Sequence, residues 1–206
     1  VRNPAISIRD SNFSSIKRAI SVFLGRNRGD MELWIQTKFP VIGDSAMVGF
    51  KLELEPELDS LELTFAKQEK PRVSIVIPVY NEYRMTIFCL QSLLETTTGV
   101  DYEVILADDA SSDLTSTIGE RIHGLEIVRT DENLGFLNNC KNGASHARGE
   151  YILFLNNDTA FTEGWLSHLV ATLDKDPKAG IAGPMLIFGS GRLQEAGGII
   201  WQDASG

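Results

Sequence analysis

Residues 73–82 read Val-Ser-Ile-Val-Ile-Pro-Val-Tyr-Asn-Glu, and this stretch decides the fold class. Its first five residues form a largely apolar run that is rich in β-branched side chains and too short for a buried helix. Such a run is typical of a strand covered on both faces, as in a parallel sheet. The polar residues Tyr80, Asn81 and Glu82 would then lie just beyond the carboxyl end of that strand.

Strand and helix patterns alternate along the chain after this stretch. The pattern predicts strands at 102–107, 126–129 and 151–155 and helices at about 83–97, 114–122, 136–147 and 165–175. Repeated βαβ units predict an α/β fold with a mostly parallel sheet flanked by helices. In such sheets, ligands bind beyond the carboxyl ends of the strands.

The amino-terminal residues 1–70 differ from the rest and predict a small β-rich appendage that ends in a linker at 66–71. Apolar residues at helical spacing in 14–24 predict a short amphipathic helix. Period-two alternation predicts half-buried strands at 31–39, 47–54 and, more weakly, 58–65. We therefore expect the ligand-binding domain to occupy residues 71–206.

The composition excludes some classes of function. The chain has 28 acidic and 19 basic residues, so a long basic surface for nucleic acid is not expected. No stretch approaches the roughly 18 consecutive apolar residues of a membrane span. Cys89 and Cys140 have neither metal-ligand spacing nor the pattern of a disulfide framework, which favours a cytoplasmic location.

Two more predicted strands end in polar clusters, at 108–113 and 156–159. A carboxylate at the mouth of an apolar strand is costly unless it is solvated or paired, which favours a functional role for Asp108. The Ser-Ser-Asp sequence at 111–113 favours helix capping instead. For Asp158, the spacing is equally compatible with a metal ligand and with a turn or cap.

Converging carboxylates with few cations favour a site that Mg²⁺ or Mn²⁺ completes, with phosphates supplying the remaining ligands. No GxxxxGK[ST] motif is present, and no GxGxxG follows a strand. A metal ion that neutralises the charge of a diphosphate would explain why neither of these phosphate-binding motifs is needed. Gly135 permits a close approach of the backbone to a ligand. The sequence around Lys141 alone favours a solvated helix residue.

Four strings in order resemble glycosyltransferase family 2, whose members have the Rossmann-like GT-A fold. They are VSIVIPVYNE at 73–82, DDASSD at 108–113, NLG at 133–135 and GEYILFLNND at 149–158. The resemblance spans about 71–206, and GGIIW at 197–201 is similar to rhamnosyltransferase-like members that extend bacterial polysaccharides. It implies a UDP- or dTDP-sugar donor, a saccharide or lipid-linked saccharide acceptor, and inversion at the anomeric carbon.

The residues that the resemblance assigns to the nucleotide are Pro78, Tyr80, Glu82, Asp108, Asp109, Lys141, Asn156 and Asn157. The first three would border the base and ribose, Asp108 would hydrogen-bond the base, and Asp109 would support the turn. Lys141 would lie near the nucleotide, the two asparagines would face the ribose and diphosphate, and Asp158 would bind Mg²⁺ or Mn²⁺. Asn156 replaces the commonest first acidic residue, so metal affinity is expected to be weaker.

An inverting transfer needs a general base near the acceptor hydroxyl, and the family's Glu-Asp element for that role has no match after Asp158. We expect that base beyond Gly206. The chain would then be a donor-binding fragment of a longer glycosyltransferase of the EC 2.4 class. It would bind nucleotide and metal weakly without turnover, and the full protein would work in the cytoplasm, in peripheral contact with the inner face of the membrane.

Three alternatives compete with this interpretation. A phosphoaspartate receiver domain needs an aspartate closing its third strand and a lysine closing its fifth, and neither is present. A haloacid-dehalogenase-type phosphatase needs a DxDxT nucleophile, whereas residues 156–159 read Asn-Asn-Asp-Thr. A non-catalytic module that binds or senses nucleotide sugars stays open.

Overall fold

A computed structural model describes residues 18–22, 61–187 and 193–196. The strands predicted at 31–39 and 47–54 lie outside the described residues. The elements in chain order are β1 (Arg18–Val22), β2 (Leu63–Thr64), β3 (Val73–Val79), α1 (Tyr83–Thr96), β4 (Tyr102–Asp108), a 3-10 helix (Leu114–Glu120), β5 (Ile122–His123), β6 (Glu126–Arg129), α2 (Phe136–Ala144), β7 (Tyr151–Leu155), α3 (Trp165–Lys175), β8 (Ile181–Ala182), β9 (Leu186–Ile187) and β10 (Leu193–Glu195).

The main sheet has six strands in the order β6-β4-β3-β7-β1-β8, and each of its described pairings is parallel. Val79 of β3 lies opposite Asp108 of β4, and Val76 of β3 lies opposite Phe154 of β7. The carboxyl ends of β4, β3 and β7 therefore lie side by side at one edge of the sheet. This arrangement confirms the α/β fold predicted from the alternating pattern.

Helices cover both faces of the sheet, which is why its central strands are mainly apolar. Every residue of β3 is buried. Ile75 and Ile77 belong to one core cluster with residues of α1 and α3, whereas Val76 belongs to another with Ala144 of α2. Successive strand residues thus point to opposite faces, and each face packs against its own helices.

The opposite edge of the sheet, where its strands begin, carries a polar cluster in which Ser74 and Glu103 are buried and Arg148 is exposed. The Nε and Nη2 atoms of Arg148 donate to Oε2 of Glu103 at 2.8 and 2.5 Å. Ser74 Oγ donates to Glu103 at 2.6 Å and accepts the backbone N–H groups of Arg148 at 3.1 Å and Gly149 at 2.8 Å. These contacts tie the turn between α2 and β7 to β3 and β4.

One local prediction was wrong, and another was right only in part. Instead of the amphipathic helix predicted at 14–24, residues Arg18–Val22 form strand β1 between β7 and β8. Pairing with strands on both sides outweighs a short helical spacing. The helix predicted at 114–122 is the 3-10 helix, whose dihedral angles are non-helical at Thr117.

The weak strand pattern at 58–65 is confirmed in part, because Leu63–Thr64 pairs with β5 in parallel. The division of the chain at residue 70 stays a prediction. Within the described ranges, no helix is both long and apolar enough to cross a membrane.

Candidate functional site

Three polar loops follow β3, β4 and β7 and meet at one edge of the sheet. We call them the β3 loop (80–82), the β4 loop (109–113) and the β7 loop (156–161). Hydrogen bonds join the β3 loop to the β4 loop directly, and helix α1 joins both of them to the β7 loop. The predicted convergence of these strand ends is therefore present.

Asn81 is the link between the β3 and β4 loops. Its backbone N–H donates to Ser111 Oγ at 2.7 Å, and its Oδ1 accepts the N–H groups of Ser112 at 2.8 Å and Asp113 at 3.3 Å. Asn81 and Glu82 have φ angles of 58° and 62°, in the left-handed region that asparagine tolerates better than most residues. The side chain thus closes a turn between two loops rather than within one.

Asp113 caps two helices. Its Oδ1 accepts the N–H of Thr115 at 2.9 Å, which confirms its predicted capping role on the 3-10 helix. Its Oδ2 accepts the N–H of Tyr83, the first residue of α1, at 3.0 Å. A negative charge near a helix amino terminus also interacts favourably with the helix dipole. One carboxylate therefore ties the start of α1 to the β4 loop.

Asp108 is only 1% exposed, and its carboxylate is fully engaged by the protein. Arg129 donates to Oδ2 through Nη1, and the N–H of Ser111 donates to Oδ1 at 2.9 Å. The Nη2 atom of Arg129 also donates to the carbonyl of Ser111 at 2.6 Å. The pairing explains how a charge is tolerated at the end of a buried strand. The predicted contact between Asp108 and a base stays a prediction.

Arg129 was not among the predicted site residues. It is the last residue of β6, and it lies in register with Asp108 across the sheet. The sequence holds a signal for it, since a buried carboxylate requires a partner and Arg129 ends a predicted strand. Only the strand order and register make Arg129 that partner.

Asp109 holds the loop that opens α2. Its Oδ1 accepts the N–H of Leu134 at 2.7 Å and the hydroxyl of Thr130 at 3.2 Å, and its Oδ2 accepts the N–H of Gly135 at 2.9 Å. Gly135 has a φ of 80°, which requires glycine for an unstrained backbone. Asp109, 3% exposed, therefore supports the neighbouring loop, and its predicted contact with a nucleotide stays a prediction.

The β7 loop lies against α1. The Nδ2 atom of Asn157 donates to Thr86 Oγ1 at 2.9 Å, and the thiol of Cys89 lies 3.7 Å from the carbonyl oxygen of Asn156. Burial raises the pKa of the Cys89 thiol to about 12, although a hydrogen bond from the Thr159 N–H lowers it. The thiol therefore stays protonated and can donate to the carbonyl of Asn156.

The remaining predicted residues differ in accessibility. Pro78 is buried inside β3, opposite Ala107. Tyr80 is 40% exposed, and Glu82 is exposed beside it. Lys141 is exposed in the second turn of α2. Of the set, Tyr80, Glu82 and Lys141 have side chains that a ligand in solution can reach.

The metal-binding prediction depends on one carboxylate. Asp158 is half-buried, with its Oδ1 buried. Across the part of the chain that the structure describes, no group of three or more His, Cys, Asp or Glu side chains could hold a metal ion. Mg²⁺ is often bound by one or two carboxylates together with substrate phosphates and water. A single carboxylate is compatible only with a cation whose other ligands are phosphate and water, and metal binding at Asp158 stays a prediction.

A parallel α/β sheet with amide and acidic groups beyond the carboxyl ends of its strands is an architecture of nucleotide-binding enzymes. The sequence model of glycosyl transferase family 2 matches residues 74–201, which is more than half of this chain. The chain therefore belongs to glycosyl transferase family 2, and its fold is the GT-A type that the resemblance implied.

Two relatives and one solved structure illustrate the similarity. Uncharacterized protein MT1568 of Mycobacterium tuberculosis (strain CDC 1551 / Oshkosh) is 31% identical over 150 residues, covering 72% of this chain and 44% of that protein. The poly(ribitol-phosphate) beta-glucosyltransferase of Bacillus spizizenii is 37% identical over 93 residues, covering 42% of this chain and 15% of that protein. A crystal structure of S. aureus TarS 1-349 in complex with UDP-GlcNAc is 25% identical, with a TM-score of 0.46, covering 50% of this chain and 31% of that chain. The chain thus spans less than half the length of these relatives.

Proposed function

We propose that this chain binds the nucleotide diphosphate of a sugar donor at the edge formed by the β3, β4 and β7 loops. The observation that carries the proposal is the linkage of these three loops at one sheet edge in a member of glycosyl transferase family 2. Tyr80 and Glu82 offer accessible side chains for the base and ribose. Asp108 would hydrogen-bond the base only if its buried carboxylate exchanged a bond with Arg129 or Ser111 for one with the ligand.

The diphosphate is placed at the β7 loop in this proposal. The amides of Asn156 and Asn157 can donate hydrogen bonds to ribose and phosphate oxygens, and Asp158 would hold Mg²⁺ or Mn²⁺. Such a cation supplies Lewis-acid stabilisation of the departing diphosphate. The exposed ammonium group of Lys141 would add positive charge near the nucleotide.

For the whole protein, we propose inverting transfer to a saccharide or lipid-linked saccharide acceptor in polysaccharide biosynthesis. The Bacillus spizizenii relative, named a poly(ribitol-phosphate) beta-glucosyltransferase, supports a polymer acceptor. Inversion requires a general base at the acceptor hydroxyl, and none of the described residues is assigned that role. A cytoplasmic location is supported by the two buried free cysteines.

Titration calorimetry with UDP, dTDP and GDP, each with and without Mn²⁺, tests the donor site. We expect UDP or dTDP to bind and Mn²⁺ to tighten that binding. Asp158→Asn should remove the effect of Mn²⁺ and leave the metal-free affinity in place, because the amide is similar in size but uncharged.

Asp101→Asn is the matched control, since Asp101 is exposed next to the first residue of β4, at the opposite edge of the sheet. It should leave both affinities unchanged. A chain that binds none of the three nucleotides in either condition would refute the donor site. Release of UDP from UDP-sugars in the presence of saccharide acceptors then distinguishes a transferase from a binding module.

A further inference from the structure

Helix α1 places three buried polar side chains, three residues apart, against the β7 loop. Thr86 and Cys89 are 0% exposed and Ser92 is 1% exposed. A spacing of three residues puts neighbours on the same side of an α-helix. Polar groups buried in this way are costly unless they are hydrogen-bonded, so their partners matter.

Each of the three side chains contacts a different part of the β7 loop. Thr86 Oγ1 accepts from the side-chain amide of Asn157 at 2.9 Å. The thiol of Cys89 lies 3.7 Å from the carbonyl oxygen of Asn156, within hydrogen-bonding distance for sulfur. Ser92 Oγ accepts the backbone N–H of Phe161 at 3.0 Å. The loop is therefore attached to α1 on both sides of Asp158.

The contact with Thr86 also fixes the orientation of the Asn157 amide. The hydroxyl proton of Thr86 is directed to the carbonyl of Glu82 at 3.2 Å, so the oxygen can only accept from a further partner. Asn157 must then present its NH₂ group to Thr86. The carbonyl oxygen of the Asn157 side chain is then turned away from Thr86 and can accept a hydrogen bond from another group.

We propose that Thr86, Cys89 and Ser92 are positioning residues that hold the β7 loop in the shape that binds the metal–diphosphate unit. The inference rests on the proposed donor site and adds to it the residues that set its geometry. None of the three needs to touch the ligand. Residues that orient the groups around a metal commonly change its affinity by 10–100-fold when they are replaced.

The test compares UDP affinity with and without Mn²⁺ in variants of the whole chain. The quantity compared is the ratio of the dissociation constant for UDP without Mn²⁺ to the dissociation constant with Mn²⁺. Thr86→Val keeps the size of the side chain and removes its hydroxyl, so this ratio should fall about tenfold. Thr86→Ser restores the hydroxyl and should restore the ratio. Ser74→Ala is the matched control, because it removes a buried hydroxyl at the opposite edge of the sheet and should leave the ratio unchanged.

An unchanged ratio in Thr86→Val, with Mn²⁺-dependent binding in the wild type, overturns the inference and leaves the proposed function in place. If Thr86→Val does not fold, Ser92→Ala carries the same expectation, and an unchanged ratio there overturns the inference equally. A wild-type chain that binds no UDP, or binds it without regard to Mn²⁺, overturns the proposed donor site and this inference with it.

Discussion

At the scale of single residues, the two adjacent aspartates at the end of β4 have different tasks. Asp108 pairs with Arg129, whose guanidinium also donates to the carbonyl of Ser111. Asp109 receives two backbone N–H groups and one hydroxyl from residues 130–135. The first carboxylate therefore secures its own loop, and the second secures the opening of α2.

We predict that Asp109→Asn lowers the free energy of unfolding by about 2 kcal/mol. The amide of asparagine keeps one acceptor oxygen, but an NH₂ group replaces the other. That NH₂ group would face a donor that is hydrogen-bonded to the carboxylate in the wild type. Urea unfolding followed by circular dichroism measures the change. Asp131→Asn, an exposed carboxylate nearby, should stay within about 0.5 kcal/mol of wild type. Equal losses in the two variants would contradict the role of Asp109.

The sequence predicted the need of Asp108 for a partner but not the partner itself. Arg129 lies 21 residues further along the chain and reaches Asp108 because β6 lies beside β4 in parallel register. Strand order and register are properties of the folded sheet that local patterns do not encode. The capping role of Asp113 was predictable, because it depends on residues close in sequence.

At the scale of elements, the turn between α2 and β7 is set by a close approach of backbones. A Cβ atom added at Gly149 would lie 2.7 Å from the backbone nitrogen of Ser74 and 2.9 Å from its Oγ. Backbone atoms of a central strand cannot move aside without disturbing the sheet. Glycine is therefore required at this position because a Cβ atom would not fit, and its φ angle is not the reason.

We predict that Gly149→Ala destabilises the fold by roughly 1–3 kcal/mol, the usual cost of inserting a methyl group into packed surroundings. Gly180→Ala is the matched control, because no atom lies within 4 Å of an added Cβ there. It should be neutral or slightly stabilising, since alanine restricts the unfolded chain more than glycine does. Thermal unfolding of both variants measures the difference, and similar midpoints would refute the proposed crowding.

The elements that the sequence predicted best include two short strands and one helix. The predicted bounds of β6, β7 and α3 agree with the structure residue for residue. The pattern in 14–24 was misleading because a five-residue strand can look helical until its neighbours are known. The helix predicted at 114–122 is present as a 3-10 helix at Leu114–Glu120, a type that the hydrophobic spacing did not distinguish from an α-helix.

At the scale of the whole molecule, the groups with raised pKa values make stability sensitive to alkaline pH. Burial raises the pKa of the Cys140 thiol from 9.0 to about 12, and burial also raises the pKa of Tyr102 and of Tyr151. In each case the fold favours the protonated, uncharged form. The stability that this form contributes is complete below the ordinary pKa and is lost as pH rises through the folded-state pKa.

We predict that the free energy of unfolding changes little up to about pH 8 and falls between about pH 9 and 12. The loss due to one such group is on the order of 1 kcal/mol per pH unit. Cys140→Ala should show a shallower decline than wild type, whatever its stability at neutral pH. Urea unfolding at pH 8 and pH 10.5 measures the slope, and identical slopes would contradict the contribution of Cys140.

Helix α1 is about 21 Å long, given its 14 residues, and it is fastened at several points along that length. Asp113 joins its first residue to one loop, and Thr86, Cys89 and Ser92 join its body to another. Because one rigid helix carries both sets of attachments, we expect the β4 loop and the β7 loop to shift together with α1 rather than separately. A molecule that binds one of these loops should then also restrict the motion of the other.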